Sequence, residues 1–249
     1  MSATVLSRLQ MGAETSAGTI HAATSRWRGN GKFTDDQIIK DRDDNVGIGV
    51  QIDSSYIPSK GATMNLSSRI ATFEQLPYMF EMGCGAVAPT GQGDITPTSY
   101  KQIYTPDVTA DGPTPATYTF EGGDAQQGYV FNYCFIKELK LSGVPQEAVK
   151  MEATLGAQYI AKQAFTAGLA LPTEEEIEFQ KGKIYMDAVG ITQPIGHTPL
   201  TNTWLGFDLD FKPGLFELFT GDGNLGFSKP AYAKATLSGS FTIMHDSLP

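Results

Sequence analysis

Apolar and polar residues alternate with a period of two along much of this chain. Ala62, Met64, Leu66 and Ile70 are apolar, with Ser68 interrupting, and Thr63, Asn65, Ser67 and Arg69 lie between them. That is the pattern of a strand with one buried face. From Ala148, Val149, Met151, Ala153, Leu155, Ala157 and Tyr159 alternate with Lys150, Glu152, Thr154, Gly156 and Gln158. Leu205, Phe207, Leu209 and Phe211 alternate with Gly206, Asp208 and Asp210. Near the end, Ala233, Ala235, Leu237, Phe241 and Ile243 alternate with Lys234, Thr236, Ser238, Ser240 and Thr242. Residues 129–141 are aromatic-rich and β-prone, and LSGVPQE after them reads as a turn. Shorter strands are expected at 22–28, 46–52, 118–120 and 184–189.

TFEQLPYMFEMG breaks this pattern. Its apolar residues fall at helical spacing, which predicts a short helix over about 74–82. Thr72 and Gln75 outline a capping box, Pro77 falls in the first turn, and Gly83 offers a stop. A weaker helical pattern covers 161–170. The predicted fold is mainly β: a β-sandwich or partly open barrel with one flanking short α-helix, in a single domain over 1–249. Two connectors, about 29–60 and 85–115, exceed the roughly 12–15 residues common in compact domains.

Composition narrows the function classes. Hydrophobic residues make up 41 %, enough for a core. The net charge of -9 lacks the basic footprint of a protein that grips phosphates. No apolar run approaches the roughly 18 residues of a membrane span, and the first twenty residues hold no signal-peptide core. Cys84 and Cys134 are far apart and read as buried free thiols.

No catalytic signature emerges, and neither a metal nor a cofactor is expected. Gly221, Gly223 and Gly226 spell G-x-G-x-x-G, but an alternating strand follows where a dinucleotide site needs a helix, so the segment reads as a loop between strands. Asp41, Asp43 and Asn45 match the start of a calcium loop, which Val46 and Ile52 then break. His21, His197 and His245 are scattered. Glu174, Glu175 and Glu176 read as a solvated charge run, and Trp27 and Trp204 as core or interface residues.

Several segments in order carry a family resemblance. MGAETSAGTIHAATSRW places Glu14, Gly18, Thr19 and Ala22 in an E-x-x-x-G-T-x-x-A pattern. Glu74, Leu76, Pro77, Tyr78 and Glu81 form a helix of the type E-x-L-P-Y-x-x-E. Asn132, Cys134, Ile136, Lys137, Glu138, Leu139, Leu141, Ser142 and Gly143 follow N-x-C-x-I-K-E-L-x-L-S-G. Over residues 14–160 the chain resembles the major tail tube proteins of bacteriophages with long non-contractile tails (siphophages). Over 161–249 only β character is shared.

The resemblance implies a structural virion protein, not an enzyme. It implies hexameric rings stacked into a tail tube, a conduit through which genome DNA passes without specific binding. It implies partners in the tape-measure, terminator and baseplate proteins, and a location in the virion tail after synthesis in the host bacterial cytoplasm. Four strands from each of six chains give about 24 strands and a barrel about 48 Å across, wide enough for a duplex of roughly 20 Å. An acidic lumen would repel phosphate. Phe33, Asp35, Asp36, Ile38, Ile39, Asp41, Tyr56 and Ile57 are the expected inter-ring or inter-subunit contacts, in the first long connector. The alternatives are another phage ring component, such as a tail terminator or baseplate ring, and a monomeric ligand-binding β-sandwich.

Overall fold

The computed structural model describes residues 7–42, 54–68, 70–92, 99–105, 112, 114–185, 196, 199–200 and 203–244. The strands are β1 (Arg8–Ala13), β2 (Ser25–Arg26), β3 (Asn30–Asp35), β4 (Ile38–Arg42), β5 (Ser54–Ser59) and β6 (Ala62–Ser68). Helix α1 (Leu76–Cys84) follows, then β7 (Thr90–Gln92), β8 (Ser99–Lys101), β9 (Tyr118–Gly123) and β10 (Gly128–Gly143). The remaining strands are β11 (Lys150–Ala157), β12 (Tyr159–Lys162), β13 (Trp204–Lys212), β14 (Leu215–Leu218), β15 (Lys229–Tyr232) and β16 (Thr236–Ile243). The mainly β architecture with one short helix is as the sequence predicts.

Strand β10 organises the molecule. Its first half pairs with β9 and β12, and its second half pairs with β11 and β13. One layer therefore runs β2-β1-β9-β10-β12, and the other runs β3-β6-β11-β10-β13-β16. The crossing is marked by a break in register between Phe131 and Cys134, where Tyr133 takes φ 54. A second irregularity lies between Ile136 and Glu138. Such bulges bend a strand and let it change sheets. Chain β11–β12 crosses beside it, pinned by the Gln158 amide donating to the Asn132 carbonyl at 3.0 Å.

The core lies between the layers. Leu9, Met11, Phe120 and Phe131 meet Met64, Leu66, Met151 and Leu155 there. Helix α1 buries Met79 and Met82 against the second layer, and Gly83 lets it come within contact of Ile136 and Phe211. On the far side of the β10 bend, the β14–β15 hairpin covers Phe135 with Leu215 and Phe227.

Several expectations shift. The helix runs 76–84 rather than 74–82, because Gly85, at φ 94, ends it in place of Gly83. The Thr72 hydroxyl accepts from the Gln75 amide, but the Gln75 side chain donates to the Arg28 carbonyl, so the capping box is half made. Residues 161–170 are not helical: β12 occupies the start and an irregular segment follows. The connector 29–60 contains β3, β4 and β5, and 85–115 contains β7 and β8. The expected strand 22–28 shrinks to the two residues of β2. The expected strand at 46–52, and residues 186–189 of the one at 184–189, lie outside the described residues. Asp43, Asn45, His197 and His245 lie there as well.

Candidate functional site

Each motif behind the family resemblance has a structural task. Glu14 follows β1 and accepts from four donors: the backbone amides of Gly18 and Tyr133, both at 2.8 Å, and the hydroxyls of Thr117 at 2.8 Å and Thr119 at 2.9 Å. It thus clamps the N-terminal loop onto the residue where β10 changes layers. Gly18 has φ 80, and a Cβ there would lie 2.9 Å from the Tyr133 ring. Asn132 donates to the Gly18 carbonyl at 3.0 Å. The E-x-x-x-G and N-x-C segments therefore meet at one corner.

The helix motif builds a second cluster. Leu76 packs on the core and Pro77 sits in the first turn. Tyr78 lies edge-on to Tyr118 with centroids 5.8 Å apart. The Tyr118 hydroxyl donates to Glu81 at 2.6 Å, and Glu74 accepts from the Glu175 amide at 2.9 Å. Burial pushes the Tyr118 phenol far above its ordinary value, helped by the hydrogen bond to Glu81 and by its charge. Tyr104 is pushed up to about 12 by burial, then by Glu81 and Cys84. Tyr78 moves the same way, through burial and then Glu81. In the folded chain these phenols keep protons that the unfolded chain loses near pH 10. Their stabilisation is therefore complete below about pH 10 and is lost as pH rises through the folded values. Near-ultraviolet tyrosinate absorbance during alkaline titration is expected to show them ionising only as the fold opens. Glu81→Gln is expected to move that step to lower pH; an unchanged titration would refute the coupling.

The eight residues expected to make inter-subunit contacts divide. Ile38, Ile39 and Tyr56 are exposed on the β4–β5 hairpin, Asp41 lies exposed opposite Ser55, and Ile57 is half-buried. Asp35 and Asp36 tie the turn between β3 and β4: Asp35 accepts from the Gln37 amide, and Asp36 from the Thr63 hydroxyl at 2.5 Å. Phe33 is partly buried against the core. Its ring packs inward on Phe131, with centroids 4.7 Å apart, over the space that Gly122 leaves free. It is an intramolecular packing residue.

The six-stranded layer has two unlike faces. Outward positions are Asn30, Lys32 and Thr34 on β3, Thr63, Asn65 and Ser67 on β6, and Lys150, Glu152 and Thr154 on β11. They continue as Glu138, Lys140 and Ser142 on β10, Asp208, Asp210 and Lys212 on β13, and Thr236, Ser238, Ser240 and Thr242 on β16. None is apolar. The lysines are matched by the carboxylates: Lys212 lies 3.0 Å from Glu138 and 3.2 Å from Asp210, and Lys140 lies 3.3 Å from Glu138. The acidic excess of the chain is thus carried elsewhere.

The inward face is apolar to its end but is not covered to its end. The first layer lies over β3, β6 and β11, and α1 lies over β10 and β13. At β16 every residue is exposed, including Leu237 at 69 %, Phe241 at 54 % and Ile243 at 40 %. The alternation there is real, but the expected buried face is open. Between α1 and this overhang lies an apolar cleft of about 290 Å³, walled by Phe80, Cys84, Leu141, Leu209, Phe211 and Leu237. Among the described residues β16 pairs only with β13 and β3 only with β6, so both edges of this layer are open.

Other sequence candidates resolve simply. The glycines at 221, 223 and 226 lie between β14 and β15. Trp27 is buried edge-on to Phe120, and Trp204 stacks on Phe207. Cys134 is buried and Cys84 half-buried, and burial pushes both thiols up. The described residues bring together no three His, Cys, Asp or Glu side chains fit to hold a metal ion. Among them, no helix is long and apolar enough to cross a membrane. A scan of the sequence against protein-family models finds no match, and a search of curated proteins finds none either.

Proposed function

We propose that copies of this chain join side by side into a ring and that rings stack into a tube, serving as a phage tail tube conduit for DNA. The observation that supports the reading best is β16: among the described residues it is an open sheet edge whose exposed apolar side chains continue the core. An exposed edge of this kind is a template for pairing with another chain, which monomeric proteins normally blunt. A contact between β16 of one copy and the opposite edge of the next is head-to-tail, and closes into a ring if the rotation fits.

The polar face suits a lumen. Its lysines, Lys32, Lys140, Lys150 and Lys212, are equalled in number by Glu138, Glu152, Asp208 and Asp210, and Lys140 and Lys212 pair directly with Glu138 and Asp210. A wall that binds few phosphates releases few counterions and holds DNA weakly. That replaces repulsion by an acidic wall with near-neutral passage. The exposed Ile38, Ile39 and Tyr56 of the β4–β5 hairpin supply a second apolar contact, suited to the next ring or neighbour.

Negative-stain electron microscopy of concentrated protein tests the proposal. Rings or tubes are expected. The bore reports how many strands each of six copies contributes, with four giving a barrel about 48 Å across and six about 72 Å. A strict monomer at all concentrations would favour the ligand-binding sandwich instead, and single rings that never stack would favour a terminator or baseplate part.

A further inference from the structure

Glu174 lies in the irregular segment after β12, where the sequence suggests a solvated charge run. Its side chain is only 3 % exposed. Neither carboxylate oxygen receives a hydrogen bond among the described residues. Among the described residues the nearest cation is Arg28, whose Nε stands 3.6 Å from Oε2, too long for a hydrogen bond. Arg28 turns a terminal nitrogen to the Pro172 carbonyl at 3.1 Å and is itself about half exposed. A buried carboxylate in this state bears its desolvation cost with little return.

The surroundings hold it there. The Phe73 amide donates to the Glu175 carbonyl at 3.1 Å, the Ile177 amide to Ala71 at 2.9 Å, and the Val149 amide to Ile177 at 2.8 Å. The segment is thus tied to the residues that lead into α1 and into β11, and Glu174 has little freedom to swing out. It lines a polar cleft of about 690 Å³ with Arg28, Asn30, Ser67, Thr72, Thr173 and Glu176. Burial holds its carboxyl above the usual range; Arg28 draws it down, while Glu74 and Glu176 push it up.

We propose that this cleft binds the cationic head of an organic group, a guanidinium or alkylammonium, with Glu174 as its principal acceptor. A metal ion fits less well, because no three carboxylates or imidazoles among the described residues converge. A planar guanidinium spreads its donors over several ångströms and can reach the buried carboxylate together with the Glu176 carboxylate and the Ser67, Thr72 and Thr173 hydroxyls on the walls. The group can come from a small free cation or from a Lys or Arg side chain of another copy. The inference does not rest on the tail tube reading.

Methylguanidinium is the probe. Titration into the full chain, followed by amide chemical shifts and calorimetry, is expected to give saturable shifts centred on Thr173, Glu174 and Glu176. Glu174→Gln keeps the shape and removes the charge; it is expected to weaken binding about tenfold or more. Arg28→Gln removes the competing cation and is expected to tighten binding, a check that holds if the first variant folds poorly. Loss of probe binding in self-associated protein assigns the cleft to a side chain of another copy, and retained binding assigns it to a free cation. Absence of saturable shifts in the natural chain, or equal binding by Glu174→Gln, would overturn the proposal.

Discussion

Glu14→Ala is expected to lower the unfolding free energy by about 3–5 kcal/mol, measured by chemical denaturation. The substitution leaves four donors without an acceptor, two of them backbone amides, and one of those belongs to Tyr133. Hydrogen bonds to a charged group contribute about 1.5–3 kcal/mol each, but four on one carboxylate are not additive. A domain commonly has only about 5–15 kcal/mol in total, so the loss is severe. Gly18→Ala should fall in the same range, since it needs φ 80 and meets the Tyr133 ring. A loss below about 1 kcal/mol for Glu14→Ala would mean that the crossing of β10 holds itself without the clamp.

The pair Leu237→Glu and Phe241→Lys is expected to abolish self-association while leaving the monomer folded. Both side chains are already more than half exposed, so the monomer loses little when they become charged. In a ring each would be buried against a neighbour. Burial of such a side chain contributes about 1.5–3 kcal/mol, so losing two raises the concentration needed for assembly by at least about a hundredfold. Sedimentation velocity gives the concentration, and circular dichroism checks the fold. Tubes from the double variant at the original concentration would place the interface elsewhere.

Much of the second layer is legible in the sequence, because β6, β11 and β13 have one wet face and one dry face. Strand β1 is not, since Leu9, Gln10 and Met11 are all buried and no alternation survives. Alternation also states which side chains share a face, without stating what covers that face. For that reason Leu237, Phe241 and Ile243 read as core and stand open. Phe33 is hidden in another way: it sits beside Lys32, Asp35 and Asp36, and the slot it fills is made by Gly31, two residues away, and by Gly122, distant in sequence. Glu174 hides within a run of three glutamates, where composition suggests uniform solvation. The helix and its Glu81 contact are half legible, because local capping signals place α1 but cannot anticipate Tyr118.

Because one sixteen-residue strand belongs to both layers, the layers are a single backbone and not two stacked pieces. A conventional sandwich can part along its interface while each sheet stays whole. Here parting requires β10 to straighten at Tyr133, where the backbone amide is held by Glu14. A load placed on the polar layer is therefore handed through continuous peptide to the layer behind it. In the proposed tube, bending would strain a covalent path before it opened a seam.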